Sequence, residues 1–135
     1  MTNLIGLFNR GPKDPQKKKN IEKLKEIRKL AKEKKYDQAL KSGTEYLQKV
    51  PESHDILFIV GSIYYMKKKY KTAISYFEKA LKIGEYDIEV LILKANAHFL
   101  LGENKRAIQC CDKIKEIDPK NKGVTELLEK IESSN

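Results

Sequence analysis

The sequence predicts an all-α fold, an α-α superhelix of three helix-turn-helix units closed by a C-terminal capping helix. Three observations predict it. From Asn20 onward apolar residues recur at helical spacing, as in Ile21, Leu24, Ile27, Leu30 and Ala31. The chain repeats at an interval of 34 residues, which aligns Ala39 with Ala73 and Ala107, Tyr36 with Tyr70 and Asn104, and Ile27 with Gly61 and Ala95. After Pro119, one side of a last helix collects Val124, Leu127, Leu128 and Ile131, and the other Glu126, Glu129, Lys130 and Glu132. Such a helix shields the open face of a stack.

The elements follow in order. Residues 1–19 carry Gly11-Pro12, Pro15 and Lys17-Lys18-Lys19, a composition expected of a flexible basic leader, with an apolar segment at Leu4, Ile5, Leu7 and Phe8. Three units are expected at 20–53, 54–87 and 88–121. Their helices fall near 20–34 and 37–50, 54–67 and 70–83, and 88–101 and 104–117. Pro51 and Pro119, two intervals apart, stop second helices, and Gly102 stands where a first helix needs a left-handed terminating residue. Residues 122–135 form the capping helix and tail.

Composition narrows the function classes. Hydrophobic residues make up 40% and charged residues 35% of 135 residues, with only 7 Gly and 4 Pro, which suits one helix-rich domain rather than a disordered chain. The longest apolar run, Ile56 to Val60, is far short of the ~20 residues of a membrane-spanning helix. The leader's apolar residues precede its basic ones, unlike a secretory signal. Cys110 and Cys111 are neighbours, which disfavours an ordinary disulfide and leaves no CxxC metal spacing, so a reducing, cytoplasmic location is expected.

Net charge is +9, distributed as +4 over residues 1–19, +3 over 20–53, +2 over 54–87, +1 over 88–121 and −1 over the rest. This gradient describes a basic arm on a mildly charged body more than a dedicated phosphate-binding face, so nucleic acid is not the expected partner. No nucleophile-base pair, paired carboxylates, metal constellation or phosphate loop has a recognisable spacing. No catalytic residue, cofactor or metal is assigned, and an enzyme is not expected. His54, His98 and Cys111 read as capping or packing residues.

The unit His54–Asp87 resembles a tetratricopeptide repeat, carrying Leu57, Val60-Gly61, Tyr64, Tyr70, Ala73, Phe77 and Ala80-Leu81 at that family's spacing. Residues 88–121 match through Leu91, Ala95, Ala107 and Pro119, and residues 20–53 through Tyr36, Ala39, Leu47 and Pro51. Small residues at the eighth and twentieth positions let paired helices approach, and bulk is traded between neighbours: Phe77 with Ala80, Gly43 with Tyr46, Cys111 with Ile114.

The resemblance implies a concave groove lined by each unit's first helix at positions two, five, nine, twelve and thirteen. Those positions hold Ile21, Leu24, Arg28, Ala31 and Lys32, then Asp55, Phe58, Ser62, Tyr65 and Met66, then Glu89, Ile92, Asn96, Phe99 and Leu100. A peptide-binding groove is expected at Leu24, Arg28, Phe58, Ser62, Tyr65, Ile92, Asn96 and Phe99, with Phe58 and Phe99 exposed to a ligand. Met66 and Leu100 face either the groove or the interfaces between units. The positions at which some members clamp a chaperone's C-terminal carboxylate hold Leu24, Arg28, Ile59, Glu89 and Leu93, so that clamp is absent.

The implied function is a protein-protein interaction scaffold for an apolar or amphipathic peptide. Micromolar affinity needs about −8 kcal/mol net, and one buried large apolar side chain returns ~1.5–3 kcal/mol, so several anchors are required. Leu4, Ile5, Leu7 and Phe8 are themselves candidates for plugging the groove or for self-association, since tethering brings effective concentration to the order of mM. The alternative is an adaptor that attaches to a membrane surface, or associates with nucleic acid, through the basic N-terminal region.

Overall fold

The computed structural model describes residues 14–134. Among the described residues seven helices follow in order: α1 Pro15–Lys32, α2 Tyr36–Lys49, α3 His54–Met66, α4 Tyr70–Ile83, α5 Ile88–Leu100, α6 Asn104–Ile117 and α7 Lys122–Ser133. There is no strand among the described residues. The apolar leader segment Leu4–Phe8 lies outside them.

First helices begin at side-chain caps that keep the 34-residue interval. Ser53, Asp87 and Asn121 each accept from the backbone N–H three residues on, at Ile56, Val90 and Val124, over 3.4, 3.2 and 3.2 Å. This satisfies a donor that the helix itself leaves free. In the first unit the same register falls on Lys19, which has no acceptor. The helix therefore runs back to Asp14, whose carboxylate accepts from the Gln16 N–H at 2.9 Å, with Pro15 opening the first turn. Pro15 to Lys19, assigned to the leader on composition, are helical.

The turn inside each unit also recurs. Lys34, Lys68 and Gly102 take φ of 62°, 63° and 78°, each one interval from the next. Only Gly102 is a residue type that favours this region.

The core is three connected clusters. Ile27, Ile56 and Val60 bind the first unit to the second. Leu57, Ala73, Phe77, Ala80 and Val90 bind the second to the third. Leu91, Ala95, Ala107, Cys110, Cys111 and Ile114 form the last with Val124, Leu127 and Ile131 of α7. The aligned alanines 39, 73 and 107 are all fully buried at crossings within units. Bulk is traded across close contacts: Gly43 admits Val60 of the next unit, with Ile56 and Ile27 farther off, Gly61 admits Phe77, and Ala95 shares its cluster with Cys111.

Contacts between units set the curvature. Each first helix approaches the next one closely, α1 with α3, α3 with α5 and α5 with α7, whereas the backbones of second helices in neighbouring units stand farther apart among the described residues. The second helices splay outward, opening clefts between α2 and α4 at Thr44, Leu47, Gln48 and Tyr76, and between α4 and α6 at Ile74, Glu78 and Arg106. First helices consequently form the inner surface.

Candidate functional site

The sequence-derived groove residues lie on the first helices α1, α3 and α5, partly buried apart from the exposed Arg28. Phe58 packs its ring 6.5 Å from that of Phe77, tilted by 43°, so it is the edge of the second core cluster as well as a surface. Tyr65 meets Tyr70 edge-on at 5.5 Å, and burial, with Tyr70 adding to it, pushes the Tyr65 phenol above its ordinary range. Leu24 leans on the cluster of Ile27, Ile56 and Val60, while Ile92 and Phe99 lean on the cluster shared by the third unit and α7. Phe58, Tyr65, Ile92 and Phe99 thus each pack in part on a core cluster and remain in part exposed. Each is half-buried because the superhelix turns part of its side chain toward a neighbouring helix.

Met66 and Leu100, whose placement the sequence left open, are each 50% exposed, and Ile21 is 41% exposed. They stand at the last of the expected groove positions in two units and at an early one in the first. These are the most open large apolar side chains on the first helices.

The polar members behave differently from one another. Arg28 forms an ion pair with Asp55, joining α1 to α3 across the unit boundary, and both side chains remain half exposed. Its guanidinium is therefore engaged within the chain. Asn96 donates from Nδ2 to the Ile92 carbonyl at 3.0 Å. The Ser62 hydroxyl oxygen is buried and has no hydrogen-bond partner among the described residues. Asp55, given a groove position by the resemblance, was left out of the expected peptide-binding set. Its position two in the second unit, beside position nine of the first, was the available signal.

At the C-terminal end, Phe99 forms one wall of a cleft of about 570 Å³ whose other wall is α7, through Glu126, Glu129, Lys130, Ser133 and Ser134. The capping helix therefore closes the core and extends the inner surface. No three His, Cys, Asp or Glu side chains gather as a metal site among the described residues, and no described helix is long and apolar enough to cross a membrane.

Two tetratricopeptide repeat models match the chain, one over residues 64–131 and one over 24–88. The first spans just over half of the sequence. The chain belongs to the tetratricopeptide repeat family. No curated protein matches significantly.

Solved structures agree on the tetratricopeptide fold. The first TPR of Spaghetti (RPAP3), bound to the HSP90 peptide SRMEEVD, is 23% identical with a TM-score of 0.78, over 87% of this chain and 93% of that one. The Hsp90 co-chaperone Cns1 from Saccharomyces cerevisiae is 20% identical with a TM-score of 0.80, over 90% of this chain and 41% of that one. The second TPR domain of human RPAP3, in complex with the HSP70 peptide SGPTIEEVD, is 20% identical with a TM-score of 0.76, over 84% and 94%. At these identities the likeness establishes the fold.

Proposed function

We propose that this tetratricopeptide protein is a non-catalytic interaction scaffold that holds an apolar or amphipathic peptide segment of a partner protein along its inner surface. The observation that carries the reading is the row of partly exposed apolar side chains on successive first helices, Phe58, Tyr65 and Met66 followed by Ile92, Phe99 and Leu100. Spread over two units and an adjoining cleft, they supply the several anchors that micromolar affinity demands. Peptide ligands in two of the structural neighbours support a ligand of that size.

The same side chains argue against an acidic tail as the preferred ligand. Leu24, Ile59 and Leu93 stand at three of the five positions expected of a carboxylate clamp, and all three pack on core clusters. Glu89 is exposed and anionic, and Arg28 is already paired with Asp55. A carboxylate-terminated peptide would meet one engaged cation and one repelling charge.

The test is a titration of the labelled protein, followed by NMR, with an amphipathic helical peptide and in parallel with SRMEEVD. The apolar peptide should shift the signals of Tyr65, Met66, Phe99 and Leu100 and bind at least about tenfold tighter, a difference of about 1.4 kcal/mol. Met66→Asp with Leu100→Asp should abolish that binding without unfolding the chain, because both side chains are half exposed. Tighter binding of the acidic peptide would overturn the reading.

A further inference from the structure

The outer cleft between α2 and α4 has two chambers. The first, of about 380 Å³, lies among Thr44, Leu47, Gln48 and Tyr76, and the second, of about 360 Å³, reaches along α4 to Lys82 and Ile83. Pro51, Leu57 and Lys79 line both, so the two form one continuous trough. Leu57 is buried beneath it, and Ile83, 46% exposed, is its most open apolar side chain. The Tyr76 wall is held from within, since its ring stacks on that of Tyr64 at 5.6 Å and the Lys79 ammonium sits 5.2 Å from its centre. Such a wall loses little freedom when a ligand arrives.

The charges around this trough do not balance. Lys79 and Lys82 line it, and Lys41 lies on the same side of α2 as two lining residues, about 60° from Thr44 and about 20° from Gln48 around the helix axis. None of the three lysines is in an ion pair among the described residues. Against them the trough holds one carboxylate, the exposed Glu52. The other carboxylates of α2 and α4 are engaged or turned elsewhere: Asp37 pairs with Lys67, Glu45 lines the cleft between α1 and α2, and Glu78 pairs with Lys94. The equivalent cleft between α4 and α6 is balanced. Its Glu78 meets Lys94, and its Glu103 meets His98 and Arg106, with the charge of Lys71 added.

We infer that this outer trough is a second docking site, for a short segment of a partner protein that carries apolar side chains flanked by carboxylates. The apolar side chains lie over Leu57 between Tyr76 and Ile83, and the carboxylates meet Lys41, Lys79 and Lys82. Chambers of a few hundred Å³ suit a few side chains rather than a whole helix. Nucleic acid is the poorer fit, because the aromatic ring of the trough, Tyr76, is already engaged by Tyr64 and Lys79 and leaves a base little to stack on. The trough opens between second helices and the inner surface is built from first helices, so both can be occupied together.

NMR titration of the labelled full chain with the peptide EDLFDE, and with QNLFNQ, which keeps the apolar pair and removes the charge, tests the proposal. EDLFDE should shift the signals of Leu47, Tyr76 and Ile83 and leave those of Phe99 and Leu100 in place. It should bind about tenfold tighter than QNLFNQ, an advantage that shrinks between about 0.05 M and about 0.5 M salt. Lys79→Gln with Lys82→Gln should weaken EDLFDE binding about tenfold and leave QNLFNQ binding unchanged, and Ile83→Asp should abolish both. All three side chains are exposed, and an unchanged thermal melt checks that each variant folds. No binding, shifts confined to the inner surface, equal affinity for the two peptides, undiminished binding by either variant, or tighter binding of polyuridylate than of EDLFDE would each overturn it.

Discussion

Gly61 lies so close to Phe77 that a Cβ on Gly61 would stand 2.8 Å from Cε1 and 2.9 Å from Cδ1 of the ring, and 3.1 Å from the Tyr76 Cβ. The ring is fully buried and cannot withdraw. The crossing of α3 and α4 is therefore set by the absence of one carbon on one side and the presence of an aromatic ring on the other.

Gly61→Ala should destabilise the protein by about 1–3 kcal/mol through overpacking, although Ala is the better helix former by about 1 kcal/mol. Combining it with Phe77→Leu should give a smaller loss than the sum of the two single changes. Urea denaturation of the four proteins measures this. Ala73→Leu, at another fully buried point of the same crossing, should cost a similar ~1–3 kcal/mol. An unchanged midpoint for either substitution would contradict the packing described.

The left-handed turn residues predict opposite signs at equivalent sites. Lys68, at φ 63°, holds a conformation that costs a residue with a Cβ about 1 kcal/mol. Lys68→Gly should raise stability by up to about 1 kcal/mol, while Gly102→Ala, in open surroundings but at φ 78°, should lower it by about as much. Denaturant midpoints moving in the same direction would refute the assignment.

His98 is 3% exposed, and its Nδ1–H donates to Glu103 Oε1 at 3.1 Å. That hydrogen bond, aided by the charges of His98, Arg106 and Lys71 and opposed by desolvation, holds the Glu103 carboxyl below its ordinary value. A carboxylate whose pKa is lower in the folded state stabilises the fold above its unfolded pKa, and the contribution disappears as pH falls through the folded value. Glu103→Gln should thus flatten the acid side of the stability profile, from about pH 4.3 downward, and leave the shape above it little changed. Chemical denaturation across that range reads the difference.

Cys111 is fully buried, and burial, with the neighbouring Cys110 and Asp112 adding to it, pushes its thiol up to about 11. Burial likewise raises the Cys110 thiol. Neither thiolate is populated near neutral pH, so a thiol-directed reagent should label the native protein only as fast as it opens. Labelling should become rapid in denaturant. Rapid modification in buffer would show that α6 is not packed as described.

Much of the fold is legible along the chain because repeat units interact chiefly with their neighbours. Ala39, Ala73 and Ala107 mark the tight crossings, and Leu57, Val60 and Phe77 occupy buried positions, because the 34-residue interval and the helical period report the same local packing. The beginning of α1 was less legible. Composition around Pro15 and the lysines pointed to a leader, while the helix start was decided by one carboxylate, that of Asp14, which stands ahead of Lys19 and so out of register with Ser53, Asp87 and Asn121.

By itself the sequence determined the helical periods, the number of stacked units and which small residues permit close approach, since all of these follow from side-chain volume and polarity repeated at fixed spacing. Only the tertiary structure decided how much of Phe58, Tyr65 and Phe99 reaches the inner surface, that Arg28 is spent on Asp55, and that α7 forms a wall of the cleft at Phe99. These depend on the angle between successive units. That angle arises from the summed packing of many side chains and has no signature at any one position.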